Sequence, residues 1–141
     1  MYKRILVPLE NSRYDRVILE HVREIARLCG SSIVLLHVAD GFAARNIRQL
    51  NLRESEEMQR DRAYLEEQAA ALVAEGIDAE PLLGAGDPAD EIVAAAEREH
   101  CDLIAMATHG HRGLQDVIHG STASDVRHRT GIPVLMLRGT L

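Results

Sequence analysis

The chain has 141 residues, a length that suits one compact domain and leaves no room for a second. Its formal net charge of −6 at pH 7 excludes a general affinity for nucleic-acid phosphates, which requires a basic surface. The apolar run that ends at Pro8 is too short for a signal-peptide core or a membrane span, so we expect a cytoplasmic protein.

Five short apolar runs alternate with helical patterns along the chain. Each run is nearly continuous, which is typical of strands that are covered on both faces. The predicted strands are Ile5–Val7, Ile33–Val38, Pro81–Leu83, Leu103–Met106 and Val134–Leu137. Because the chain has no Trp and only one Phe, Val, Leu, Ile and Ala must fill the core of this sheet.

The first helix is predicted to begin near Ser12, with Asn11 or Ser12 as its cap, and to end at Gly30. Its apolar face consists of Ile18, Val22, Ile25 and Cys29. Residues 40–53 show no clear period and predict an irregular, mobile excursion. The two cysteines lie far apart without a C-x-x-C pattern, which favours reduced structural thiols over a redox pair or a metal site.

A second amphipathic helix is predicted to end near Gly76, and the charged stretch Glu54–Gln68 is interpreted as its solvated face. Its apolar positions are Met58, Leu65, Ala69 and Leu72. Asp87 is expected to cap a third helix that has Pro88 at its first position. A fourth helix is predicted from about Ser121 to Thr130.

This alternation predicts the α/β class, with one open five-stranded parallel sheet that carries helices on both faces. Short connections and right-handed crossovers favour such an open parallel sheet. We expect a Rossmann-like fold with the strand order 3-2-1-4-5, as a single domain over residues 1–141. In such a sheet, ligands bind beyond the carboxyl ends of the strands, where the strand order reverses.

Two loops lie at that edge: Pro8–Ser12 after strand one, and Met106–Gly113 after strand four. The glycines of the second loop and Gly120 permit positive φ angles and a close backbone approach. Gly120-Ser121-Thr122 would direct amides and hydroxyls at an anion from a helix N-terminus. The pattern outlines a phosphate site, but spacing alone equally allows a simple surface turn followed by a helix cap.

The glycine pattern resembles the signature of the nucleotide-binding branch of universal stress proteins, G-x-x-G, nine residues, then G-S/T. Gly110 is followed after nine residues by Gly120-Ser121, and the first glycine of the signature falls on Ala107. The resemblance continues in matching order along the whole chain. Its other segments are Arg4–Leu9, Leu35–Val38, Gly86-Asp87-Pro88 with Ile92, Cys101–Ile104 and Pro133–Met136.

The resemblance implies an adenine nucleotide alpha hydrolase-like fold that binds ATP, with Mg²⁺ or Mn²⁺ present only as the ion bound to the nucleotide. The implied adenosine positions are Pro8, Leu9, Glu10 and Val38. The implied ribose and phosphate positions are Met106, Ala107, Gly110, Gly120, Ser121, Thr122 and Ala123. Glu10 replaces the usual Asp and reaches about one methylene further, while Ala107 adds a methyl group where the family has glycine. The resemblance also implies a homodimer through antiparallel pairing of Val134–Leu137.

Several weaker patterns do not change this interpretation. Gly84 to Ala89 reads G-x-G-x-x-A but follows the third strand, and no acidic residue ends the next strand. His109, His111 and His119 lie close in sequence without a fixed ligand geometry, so we predict no protein metal site. His37, at the end of an apolar run, is interpreted as a structural histidine.

We therefore expect an ATP-binding sensor or adaptor of the stress response, with no catalytic residues and at most weak ATPase activity. Its expected partners are an adenine nucleotide and a second copy of the chain, without nucleic acid or membrane. One alternative is slow ATP hydrolysis or adenylyl chemistry, although the loop after strand one lacks the S-G-G-x-D-S pattern of ATP pyrophosphatases. The other is a structural dimer that does not bind nucleotides, which would lack the glycine signature.

Overall fold

A computed structural model of the chain describes residues 1–40, 51–109 and 114–139. The strands are β1 (Arg4–Pro8), β2 (Ser32–Asp40), β3 (Ala79–Gly86), β4 (Leu103–His109) and β5 (Val134–Gly139). The helices are α1 (Asp15–Cys29), α2 (Asn51–Ala74), α3 (Pro88–Arg98) and α4 (Leu114–Arg129). None of the helices within these ranges combines the length and apolar character that a membrane span requires.

The five strands form one parallel sheet in the order β3-β2-β1-β4-β5, which confirms the predicted class and strand order. Each strand contains its predicted apolar run and extends beyond it. β1 is central and pairs with β2 over its full length, from Arg4 opposite Ser32 to Pro8 opposite Leu36. β3 and β5 are therefore the two edges of the sheet.

Helices cover both faces of the sheet, and aliphatic side chains fill the space between the layers. On one face, α1 and α2 pack their buried Ile18, Val22, Leu65 and Leu72 against β1 and β2. On the other face, α3 and α4 pack through residues such as Ile92 and Val126. This two-sided burial explains why the strands read as continuous apolar runs.

The first helix starts later than predicted. α1 begins at Asp15 rather than Ser12, and its N-cap Tyr14 makes no side-chain cap hydrogen bond. The carboxylate of Asp15 instead binds the preceding backbone amides, which holds those residues in a turn outside the helix. The end is as predicted, because Gly30 adopts the left-handed conformation with φ of 70°.

The cysteines differ in their surroundings, and both are free thiols. Cys29 is exposed at the end of α1, so its predicted place on the apolar face is wrong: the helix runs past the core by its last turn. Cys101 is buried, and burial raises the pKa of its thiol to about 11. It is therefore a neutral core thiol at physiological pH.

The remaining helices also show where local pattern succeeds and fails. Asp87 caps α3 as predicted, since its carboxylate accepts a hydrogen bond from the Asp90 N–H at 3.0 Å. α2 already begins at Asn51, so the last residues of the predicted excursion are helical, while residues 41–50 lie outside the described residues. α4 begins at Leu114 rather than Ser121, because residues 114–119 contain neither glycine nor proline and the single Gly120 only weakens a helix.

Candidate functional site

The order of the strands places the switch point of the sheet between the carboxyl ends of β1 and β4, which is where doubly wound sheets have their ligand crevice. The chain moves outward from β1 to β3 and then returns to β4 on the opposite side of β1. β1 and β4 pair through Ile5 with Leu103 and Leu6 with Ile104, although both strands continue further. Doubly wound sheets bind their ligands where neighbouring strands depart in this way.

The loop after β1 forms one side of this edge and extends the strand before it turns. The N–H of buried Leu9 donates to the Leu36 carbonyl at 2.7 Å, which continues the β1–β2 pairing by one residue. Glu10 is exposed, and its carboxylate accepts a hydrogen bond from the Ser12 hydroxyl at 3.3 Å. Asn11 adopts a left-handed φ of 62°, which Asn tolerates better than most residues.

A buried carboxylate holds that turn from beneath. Asp15 is 3% exposed and accepts hydrogen bonds from the N–H groups of Glu10, Asn11 and Ser12 at 2.9, 2.8 and 3.2 Å. It also accepts one from the Tyr64 hydroxyl of α2 at 2.6 Å. Burial, followed by this contact with Asp15, raises the pKa of Tyr64. Sequence reasoning missed Asp15, although a lone acid among the apolar positions of α1 could have indicated it.

A second contact joins the same turn to α2 through His37 of β2. The His37 Nδ1 lies 2.8 Å from the Leu9 carbonyl oxygen, and its Nε2 lies 3.3 Å from the Asp61 carboxylate. The Asn11 side-chain amide donates to the other Asp61 oxygen at 3.2 Å. His37 is thus partnered, in agreement with its interpretation as a structural histidine. Asp61 was not anticipated.

The opposite end of the sheet carries a cluster that is also polar but is built from different contacts. The exposed Asp102 accepts hydrogen bonds from the N–H groups of Lys3 and Arg4 at 2.8 and 3.1 Å. Partial burial opposes its ionisation, but these backbone donors prevail and lower the pKa of Asp102. The Arg4 guanidinium binds the carboxylates of Glu80 and Glu99. The cluster fastens the starts of β1 and β4 together.

Comparison with known proteins identifies the fold and its relatives. The model of the universal stress protein family matches residues 1–138. This chain belongs to the universal stress protein family. The universal stress protein MJ0577 of Methanocaldococcus jannaschii is 30% identical, over 98% of this chain and 96% of its own length. The solved structure of MJ0577 has a TM-score of 0.86 at 28% identity, with 99% and 98% of the two chains covered.

Two further solved universal stress proteins share the fold and were solved with adenine nucleotides. One, in complex with cAMP, is 19% identical with a TM-score of 0.71, covering 99% of this chain and 98% of that chain. The other, from Archaeoglobus fulgidus in complex with dAMP, is 23% identical with a TM-score of 0.68, covering 96% and 97%. At these identities the likeness establishes the fold.

In this universal stress protein, the implied adenosine residues lie at the end of β1 and in β2. Pro8 ends β1, Leu9 and Glu10 follow in the turn, and half-buried Val38 lies near the end of β2, paired with Gly84. Since carboxyl ends of parallel strands share one edge, these residues lie along the same side of the crevice as the turn.

The implied ribose and phosphate residues are spread over β4 and α4. Met106 is 7% exposed in β4, and half-buried Ala107 follows it. Gly110 lies outside the described residues. Gly120 and Ser121 lie within α4, as do half-buried Thr122 and the 3% exposed Ala123, which packs in the core against α3.

The described residues fit the two parts of a nucleotide unequally. At the carboxyl ends of β1 and β4, Ala107 is half-buried and the exposed carboxylate of Glu10 is a hydrogen-bond acceptor of the kind that a nucleoside amino or hydroxyl group requires. Gly120 and Ser121 follow the first turn of α4, so their backbone N–H groups lie within the hydrogen-bonded part of the helix rather than at its free end. Within the described ranges, no group of three or more His, Cys, Asp and Glu side chains could hold a metal ion.

Proposed function

We propose that this universal stress protein binds ATP in the cytoplasm and acts as a nucleotide-responsive sensor or adaptor of the stress response. The observation that carries the proposal is the placement of the β1 turn and Ala107 at the switch point, with the glycine signature following along the chain. The family relationship and the two nucleotide complexes of the same fold support an adenine nucleotide as the ligand.

The nucleoside end of the ligand is assigned to the turn after β1 and the end of β2. The backbone N–H groups of the turn are bound by Asp15, so the turn offers a side chain rather than an amide cradle. The exposed carboxylate of Glu10 is an acceptor, which suits the amino group of adenine or a ribose hydroxyl. Where Glu10 binds the amino group of adenine, guanine would present a carbonyl oxygen, which a carboxylate repels; a contact with the ribose hydroxyl would not distinguish the two bases.

The phosphate end is assigned to the residues of the glycine signature, Gly110, Gly120 and Ser121. Their contact with phosphate requires that helix α4 begins after Gly120, since only the first amides of a helix are free to bind an anion. The divalent ion arrives with the nucleotide, because Mg²⁺ takes much of its coordination from phosphate and water. Mn²⁺ would fill the same position.

The test of the proposed function is calorimetry of the purified protein with Mg²⁺-ATP and, separately, Mg²⁺-GTP. We expect ATP to bind more tightly than GTP. Absence of heat at millimolar ATP, or equal affinity for the two nucleotides, would contradict the proposal. Multiple turnover of ATP at about 1 s⁻¹ or faster would favour the hydrolase alternative, since that rate lies in the ordinary range of enzymes.

We also propose a homodimer that forms through β5, residues Val134–Gly139. The two edges of the sheet differ: β3 carries Pro81 and the exposed Glu80, which discourage pairing, whereas β5 has an apolar run with Met136 exposed to 38%. A two-fold partner strand would cover that run.

Substitution of Met136, the exposed apolar residue of this edge strand, tests the dimer without removing core packing. Met136→Glu is expected to give a monomer in sedimentation at micromolar concentration, because it places a charge among the apolar side chains that the partner strand would cover. Val73→Glu is the matched control, since Val73 is 54% exposed on α2, away from the edge. A monomeric parent protein, or a Met136→Glu protein that remains dimeric, excludes this interface.

A further inference from the structure

Helix α2 reaches the turn after β1 through two separate side-chain contacts. Tyr64 donates its hydroxyl hydrogen to Asp15, the carboxylate that binds three amides of the turn. One turn earlier in α2, Asp61 lies against the Asn11 amide and the His37 imidazole. The contact with Asp15 and the His37–Asp61 pair are largely shielded from water, since Asp15 is 3% exposed and the side chains of His37 and Asp61 are 16% and 15% exposed, whereas the Asn11–Asp61 hydrogen bond lies at the surface.

We propose that Asp15, Tyr64 and Asp61 are positioning residues of the nucleoside site. They fix the turn that carries Glu10 and thereby make helix α2 part of the site. This inference rests on the proposed function. None of the three residues needs to contact the nucleotide, because they act through the backbone of the turn.

The two contacts constrain different parts of the turn. Asp15 binds its backbone amides from the core side, and the Tyr64 hydroxyl holds the Asp15 carboxylate in place, which sets the direction in which the Glu10 side chain leaves the turn. Asp61 binds the side chain of Asn11, whose left-handed backbone is the sharpest point of the turn. Loss of either contact frees the turn to adopt other conformations, and the nucleotide must then order it on binding.

The contacts of Asp61 with His37 and Asn11 predict which substitutions at position 61 preserve the turn. The Leu9 carbonyl oxygen and an ionised Asp61 are both acceptors, so a neutral imidazole with a single N–H cannot satisfy both. An asparagine at position 61 offers an N–H to one ring nitrogen and an oxygen to the Asn11 amide. Asp61→Asn can therefore keep both contacts, whereas Asp61→Ala loses both.

The experiment compares ATP affinity by calorimetry in the parent, Tyr64→Phe, Asp61→Ala and Asp61→Asn proteins. We expect Tyr64→Phe and Asp61→Ala each to weaken binding about three- to tenfold. Each substitution removes a hydrogen bond to a carboxylate that holds the turn, and part of its free energy is then lost from nucleotide binding. Asp61→Asn should restore affinity to within about twofold of the parent. Matched controls are Tyr2→Phe, at the other end of the sheet, and Glu66→Ala, an exposed acid of α2; both should bind as the parent does.

Amide NMR spectra of the unliganded proteins provide a readout that does not depend on nucleotide. The Glu10, Asn11 and Ser12 amide signals should shift in Tyr64→Phe and Asp61→Ala and stay in place in the controls. A parent protein that fails to bind ATP overturns the proposed function and, with it, this role of α2. A parent that binds while Tyr64→Phe and Asp61→Ala bind equally well, or an Asp61→Asn protein as weak as Asp61→Ala, overturns only the positioning role.

Discussion

The two ends of the sheet use the same interaction for different purposes. At the amino end, Asp102 accepts two backbone N–H groups from the residues that open β1. At the carboxyl end, Asp15 accepts three from the residues that leave β1. Asp102 is exposed and joins two strands, whereas Asp15 is buried and shapes a turn. A carboxylate that binds the backbone at the start of a strand therefore joins that strand to its neighbour, whereas one that binds the backbone after the strand fixes the conformation of the turn.

The ends also differ in how their charges are balanced. The guanidinium of Arg4 binds two carboxylates, from β3 and from the end of α3, so the amino end is a closed cluster. At the carboxyl end, Asp15 and Asp61 are held by hydroxyl, amide and imidazole groups, while Glu10 is exposed. This end carries an exposed acceptor, and it is the end at which we propose that the nucleoside binds.

The largest predicted effect separates the two carboxylates by stability. Asp15→Ala should lower the free energy of unfolding by about 3 kcal/mol, because it leaves several amides and the Tyr64 hydroxyl without their acceptor in a buried position. Asp102→Ala should lower it by about 1 kcal/mol, since water can replace the lost acceptor at an exposed site. Urea unfolding measures both. Equal losses would remove the distinction between the two ends.

A smaller effect is expected at the glycine of the signature inside α4. Gly120→Ala should stabilise the helix as it stands by about 1 kcal/mol, because alanine is the better helix former. The same change should weaken ATP binding if phosphate contact requires the helix to begin after this residue. Thermal unfolding measures the change in stability, and calorimetry measures the change in ATP affinity. A Gly120→Ala protein that is more stable and binds ATP as tightly as the parent contradicts the phosphate assignment.

The smallest effect concerns acid and belongs to the amino end. Because the pKa of Asp102 is lowered in the folded state, the unfolded state binds more protons between that native value and the ordinary aspartate value. The contribution of Asp102 is thus present above the ordinary value and is lost as the pH falls through the native one. The stability advantage of the parent over Asp102→Asn should shrink between about pH 6 and about pH 2 in urea unfolding. A difference that stays constant over this range contradicts the assignment.

The fold could be predicted from sequence because its determinants are local or periodic. The apolar runs mark the strands, Gly30 and Asp87 mark helix ends, and the alternation of elements leaves few topologies. The predicted start of α1 near Ser12 is wrong, because the residue that sets the true start, Asp15, acts through contacts outside the helix. Asp15 reaches back to the turn and also contacts Tyr64, 49 residues away, and no cap pattern contains that information.

The candidate site was predictable only in part, for a related reason. Its residues on β1, β2 and β4 follow from the rule that places ligands at strand ends, together with the glycine signature. The contacts of α2 with the turn could not be predicted, because the spacing that locates an amphipathic helix does not specify what its polar residues face. Asp61 belongs to the stretch interpreted as a solvated face, yet its side chain is 15% exposed.

The position of β1 in the sheet also sets the order in which the site can assemble. Arg4 meets Ser32 of β2 across 28 residues of sequence but meets Asp102, which precedes β4, across 98. Closing the longer loop costs about 1 kcal/mol more in chain entropy, so pairing with β2 is favoured before pairing with β4. On the ribosome, β1 keeps one open flank until most of the chain has been made. The crevice between β1 and β4 therefore forms late in folding. A nucleotide can bind and stabilise the completed sheet, but it cannot assist the pairing of β1 with β2.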